Sequence, residues 1–194
     1  QCDGQPAGLS GAELAGLLFM ITATGGVVGG LVGAPETADD GKKAKADAGV
    51  TACTAALAEE KDEIRRVQLT LARGIHQIEA KHYDAALADF RGISTVAGAK
   101  GQERGFQHSL GLSALELEAA TLLRMGRARD AEDTALRMAE IAPWDILNLM
   151  RVRRYVSLTA DMSPAKKAFY DTYVRVLPAG LLSRYEARQW AGDW

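Results

Sequence analysis

Two segments of this 194-residue chain share one plan, and that internal similarity restricts the fold more than any other feature. Residues 67–98, which contain KHYDAALADF, and residues 112–143, which contain LLRMGRARDAEDTALRMAEIAP, read alike. Each is an apolar-periodic helix, a tight polar turn, and a second helix opening on a small residue. Superposing Ala86 on Ala131 also aligns Gly74 with Ala119 and Lys81 with Gly126. A helix pair of this size cannot bury its apolar side alone, so repeated pairs stack and share a core. From Asp47 onward the composition agrees: Ala, Leu, Glu, Arg and Met dominate, all good helix formers. The one clear β-branched run, residues 93–96, falls where the first helix pair ends.

The spacing resembles the tetratricopeptide repeat. That family has a helix pair of about 34 residues, with a small residue midway along the first helix, a glycine at the turn, an alanine early in the second helix and a closing proline. The second segment supplies Ala119, Leu122, Gly126, Ala131 and Pro143. The first supplies Gly74, Tyr83, Ala86 and Phe90, but Lys81 stands at the turn glycine and Gly98 at the closing proline. Its apolar stripe, Leu71, Ile75 and Ile78, is one residue out of the family's register. Gly98 still serves to end a helix. The two alanines are 45 positions apart, so about 11 residues are inserted relative to the family period; they are expected to lengthen a helix running from near Gln102 to Met125.

Weaker units flank these two. Residues 49–57 read as the second helix of an earlier pair, with Cys53 facing its neighbour. After Pro143, helices over 145–159 and 163–177 make a degenerate third pair, the latter opening on Ser163-Pro164, a strong helix start. A final helix covers 181–190. The expected fold is all-α: antiparallel helix pairs stacked as a short tetratricopeptide-like solenoid over 47–194, preceded by an apolar, Gly-rich segment (1–34) and a polar linker (35–46).

The N-terminal segment has two readings. Residues 14–34 carry no charge and are long enough to cross a bilayer as a helix. Gly25, Gly29 and Gly33 fall on one helical face, the spacing of a glycine zipper that lets membrane helices or oligomers approach closely. Alternatively, a helix over 12–22, capped from Ser10, docks on the domain and is followed by a loop. Glycine costs about 1 kcal/mol per residue in an exposed helix, which argues against a free-standing helix through Gly33. The chain begins Gln1-Cys2 without a Met, as after removal of a secretory signal. With an even pair of cysteines, Cys2 and Cys53, this points to export, to a periplasm or beyond, and to a disulfide. A Cys2–Cys53 bridge closes a loop of about 50 residues and would contribute roughly 4 kcal/mol through chain entropy.

Catalytic signatures are missing from the sequence. His76, His82 and His108 lack metal-ligand spacing, and no C-x-x-C, nucleophile elbow, Walker loop or dinucleotide fingerprint occurs. Glu59-Glu60 and Glu116/Glu118 read as solvated helix-face carboxylates without reason for perturbed acidity. The chain is therefore not expected to be an enzyme or to hold a cofactor or metal. A net charge of −2 gives no reason to expect nucleic acid. Charge is nonetheless uneven, acidic toward the N-terminus and basic from Asp145 onward.

Protein partners are expected instead. Trp144 with Arg151, Arg154 and Tyr155, spaced by three and four, forms an Arg/aromatic cluster of the kind that anchors interfaces. The family resemblance implies a second surface, the concave one, lined by Gln68, Leu71, Ile75 and Glu79 and by Ser113, Glu116, Ala120 and Leu123. The expected function is that of a non-catalytic adaptor or subunit in an exported envelope assembly. The alternative is a membrane-associated oligomer anchored through residues 14–34.

Overall fold

A computed structural model describes Cys2 and residues 40–177. The glycine-zipper positions Gly25, Gly29 and Gly33, the whole 14–34 segment and the expected 181–190 helix lie outside the described residues. Among the described residues there is no strand, and seven helices carry the fold: α1 (Asp40–Glu59), α2 (Glu63–Glu79), α3 (Tyr83–Val96), α4 (Leu112–Arg124), α5 (Ala128–Ile141), α6 (Ile146–Val156) and α7 (Pro164–Val176). The chain divides into two compact units, Gln1–Gly126 and Arg127–Trp194.

In the first unit, α2 packs between α1 and α3, and α3 packs on α4. Two glycines stand where helices approach too closely for a larger residue. A Cβ on Gly74 would lie 2.4 Å from Cε1 of Phe90, and one on Gly49 would lie 2.7 Å from the His76 ring. α2 starts at an Asp62 cap, whose side chain accepts from the Arg65 amide at 2.8 Å. Val67, Leu71, Ile78, Ala86, Phe90, Ile93, Phe106, Ala114 and Leu117 form the core. Two ion pairs brace it. Arg73 holds Asp89 in bidentate fashion at 2.8 and 2.6 Å, and Arg91 Nε donates to the buried Glu118 at 2.6 Å.

α1 begins at Asp40, so the stretch expected as linker is helical from that residue. The insertion between the two similar segments takes an unexpected form. After α3 ends at Ala97 and Gly98 turns with φ +55°, a 3₁₀ turn covers Gly98–Gln102. A short helical turn, Arg104–Phe106, then passes through a π-turn, Gln107–Gly111, into α4. The extra residues are therefore absorbed partly by changes of helical pitch, which periodicity cannot reveal.

The turns after α2 and α4 repeat one another in backbone conformation. Ala80, at φ −79° and ψ −2°, precedes Lys81 at φ +65° and His82 at −88°, 60°. Met125, at −80° and 1°, precedes Gly126 at φ +74° and Arg127 at −92°, 60°. Lys81 thus adopts the left-handed conformation that its aligned glycine adopts, at a steric cost that Gly126 avoids.

The second unit holds α5, α6 and α7. α5 stops before Pro143, and Asn148 on α6 donates from Nδ2 to the carbonyls of Met138 and Ala142 at 2.8 and 3.3 Å, so the buried acceptors at the end of α5 have a side-chain donor. α7 starts as its sequence predicts. Pro164 is its first residue, and the Ser163 hydroxyl accepts from the Lys166 amide at 3.2 Å. Phe169, Tyr170 and Tyr173 are buried together on α7, with Arg153 of α6 placed 6.0 Å from the Tyr173 ring centroid.

Candidate interaction surface

α6 is short, and its sequence ILNLMRVRRYV has apolar residues on more than one side. The helix is started by Asp145, whose side chain accepts from the amides of Leu147 and Asn148 at 2.9 and 3.2 Å. Once its phase is set, Asn148, Leu149, Val152, Tyr155 and Val156 fall on the buried side. At 100° per residue, Leu147, Met150 and Arg154 lie on the opposite side, and Trp144 and Leu158 stand in the turns just beyond the two ends of the helix. Trp144 is 56% exposed, Leu147 50%, Met150 49% and Leu158 47%. Ile146 and Met162 are the other large apolar side chains left exposed among the described residues, so all of them fall in residues 144–162. Single exposed hydrophobes are ordinary; a contiguous stripe of them marks a contact surface.

The loop between α6 and α7, which carries Leu158 and Met162, is clamped from beneath. Lys166 is fully buried, and its ammonium donates to Thr159 O at 2.7 Å, Thr159 Oγ1 at 3.1 Å and Glu132 Oε2 at 3.2 Å. The Thr159 hydroxyl also donates to Glu132, and Arg129 pairs with Asp161. An ammonium has three protons, and this arrangement uses all of them. Burial pushes the neighbouring Tyr170 phenol up to about 12, against the opposing pull of Arg153 and with a further push from Glu132, so it stays protonated. A groove of about 300 Å³ between α5 and α7 is lined mainly by apolar side chains, among them Leu136, Ala139, Ala165, Ala168 and Phe169, together with Glu140.

The sequence-predicted residues divide sharply. Trp144 and Arg154 are exposed on the stripe, and Arg151 is half-buried beside them. Tyr155 is not part of that face; only 3% of it is accessible, because its position turns toward the helix's buried side. Of the residues implied for a concave surface, Leu71 belongs to the core, and Gln68, Glu116 and Ala120 are buried as well. Ile75, Ser113 and Leu123 are half-buried, and Glu79 is exposed. The reason is packing on several sides: α2 has α1 on one flank and α3 on another, and residues 114–122 of α4 are buried without a break. Glu116 and Glu118, read from sequence as solvated, are likewise buried, Glu118 as the partner of Arg91.

Leu147, Met150 and Leu158 were not singled out by sequence, although their spacing with Trp144 and Arg154 carries the signal. Lys166, Glu132 and Thr159 were also missed, and nothing in their sequence context distinguishes them from surface residues.

Cys2 and Cys53 form a disulfide, with Cα atoms 4.5 Å apart, and pack with Leu69. His76 joins this anchor. Its Nε2 lies 2.8 Å from the Cys2 carbonyl, which can only accept, so Nε2 carries the proton. Nδ1 lies 3.4 Å from Glu79 Oε2, an ion-pair distance. Glu79 raises the His76 pKa above its ordinary value, against partial burial and helped by the Cys2 carbonyl.

Among the described residues, no group of three or more His, Cys, Asp or Glu side chains is arranged to hold a metal, and no helix is long and apolar enough to cross a membrane. No protein-family model, curated protein or solved structure matches this chain.

Proposed function

We propose that this chain is a non-catalytic interaction subunit of an exported assembly, built as a short, degenerate tetratricopeptide-like array, and that it engages a protein partner through the outer face of α6. The observation that carries the reading is that, among the described residues, the exposed large apolar side chains are confined to residues 144–162. Such residues favour burial by roughly 25 cal/mol per Å² removed from water. Here the surface that presents them is already ordered by the Asp145 cap and the Lys166 clamp, so little further ordering opposes binding. The array reading draws support from the matched turns at Lys81 and Gly126 and from the small residues at the α2 crossings. The exported location draws support from the Cys2–Cys53 disulfide.

The test is affinity capture of the full chain from its native source, comparing wild type with Leu147→Glu/Met150→Glu and with Asp133→Lys on the exposed side of α5. The expected result is a defined partner retained by wild type and by Asp133→Lys but lost from the double variant. Equal retention by all three would refute the assignment of the surface.

A further inference from the structure

The Cys2–Cys53 bridge is buried, with Cys2 6% and Cys53 0% exposed, so a reductant reaches its sulfurs only after Cys2 moves off the helices. Leu69 packs on the bridge, and His76 of α2 takes hold of its backbone, with Nε2 2.8 Å from the Cys2 carbonyl. The ring has little freedom there. α1 passes so close that a Cβ on Gly49 would lie 2.7 Å from its Cγ and Nδ1. Nδ1 is itself buried and faces Glu79 Oε2 at 3.4 Å.

Both groups that meet the ring nitrogens can only accept a hydrogen. A neutral imidazole protonated at Nε2 satisfies the Cys2 carbonyl but turns a bare lone pair toward the Glu79 carboxylate. The imidazolium, with a proton on each nitrogen, suits both at once. His76 also stands in the last turn of α2, where the helix dipole favours a cation. Glu79 raises its pKa, against partial burial and with help from the Cys2 carbonyl. The other charged groups on the surrounding elements are engaged elsewhere or exposed. Asp47 of α1 binds Lys43 at 2.8 Å and stands 3.7 Å from His82 of the α2–α3 turn, and Asp89 of α3 is held by Arg73. Lys45, Lys81 and Asp84 are exposed.

We propose that His76 is a proton-dependent latch on the disulfide: its cationic form holds the Cys2 carbonyl against α2 and keeps the bridge closed to dithiol reductants, and its neutral form loosens that hold. In the exchange, two electrons and two protons pass from the dithiol to the bridge. The Cys2–Cys53 bond breaks, two thiols form, and the two sulfurs of the reductant join. No net proton is taken up while every thiol stays protonated, below an ordinary cysteine pKa of about 8.5. Any pH dependence in that range therefore comes from other groups. The closed form binds the His76 proton more tightly than the opened one, so closure is favoured most at low pH and loses that advantage as pH rises through the folded-state pKa.

The experiment equilibrates the full chain with oxidised and reduced dithiothreitol from about pH 5 to about pH 7.5, below the thiol range, and reads the reduced fraction by alkylation and mass spectrometry. The wild-type bridge should be about fivefold easier to reduce at the upper end, the difference between a charge-assisted and a neutral hydrogen bond. His76→Gln keeps an amide donor for the Cys2 carbonyl but cannot ionise, and should show no such slope. A measurement without any variant accompanies it: the NMR titration midpoint of His76 should fall when the bridge is opened, with circular dichroism showing that the helices persist. A wild-type equilibrium independent of pH, a slope preserved in His76→Gln, or one His76 midpoint in both forms overturns the latch.

Discussion

Replacing Lys166 by Met tests how the second unit is held together. The ammonium is fully buried and donates to Thr159 O, Thr159 Oγ1 and Glu132 Oε2 at 2.7, 3.1 and 3.2 Å. Met keeps most of the side-chain volume but leaves the buried Glu132 without its cation and the Thr159 carbonyl without that donor. Breaking a buried ion pair from one side typically costs 3–5 kcal/mol, because the remaining charge is stranded. At roughly 0.05–0.15 kcal/mol per residue, a unit the size of Arg127–Trp194 has about 3–10 kcal/mol in all. The single variant should therefore remove between about a third and all of this unit's stability. Adding Glu132→Leu removes the stranded charge, and the double variant should recover to within about 1 kcal/mol of wild type, since apolar replacement of a whole buried pair is often neutral. Urea unfolding by circular dichroism, with amide hydrogen exchange read separately in α5, α6 and α7, measures both. A single variant within about 1 kcal/mol of wild type, or a double variant as damaged as the single, would refute the clamp as the element that fixes the 157–163 loop.

Three further outcomes are expected. Glu79 raises the His76 pKa, so this pair's contribution is complete below the ordinary value of 6.5 and is lost as pH rises through the higher folded-state value; in an NMR titration Glu79→Gln should bring the His76 midpoint down, and an unchanged midpoint removes Glu79 as the cause. Gly74→Ala should destabilise the first unit by about 1–3 kcal/mol through collision with Phe90, whereas Gly92→Ala, with open space around the new methyl, should stabilise it by about 0.5–1 kcal/mol; equal thermal shifts would contradict the close crossing. Lys81→Gly relieves a left-handed lysine and should raise stability by up to about 1 kcal/mol, while Gly126→Lys should lower it; denaturant midpoints of the two variants moving the same way would show that the matched turns are not energetically alike.

Much of the architecture is determined locally and is therefore legible in the sequence. Apolar periodicity sets helices α2 to α5, Ser163-Pro164 starts α7, and the alignment of Lys81 with Gly126 anticipates two turns of one conformation. These are short-range effects of backbone sterics and capping, and they need no knowledge of distant residues. Gly74 was recognisable for a related reason: beside Phe90 there is no room for a side chain, so the residue type itself carries the constraint.

What the sequence left open depends on what each helix meets on its other sides. Leu71 reads equally well as groove or core until α1 and α3 are seen flanking α2, and Glu118 reads as solvated until Arg91 of another helix reaches it. Tyr155, expected at the contact face, is buried while Leu147 is exposed, because the rotation of α6 is set by the Asp145 cap and by the side chains that pack beneath it. The Lys166 clamp joins residues 34 positions apart in sequence. Burial and long-range pairing are properties of the packed chain, and tertiary structure alone decides them, because a side chain's solvent exposure is set by neighbours that the local pattern does not specify.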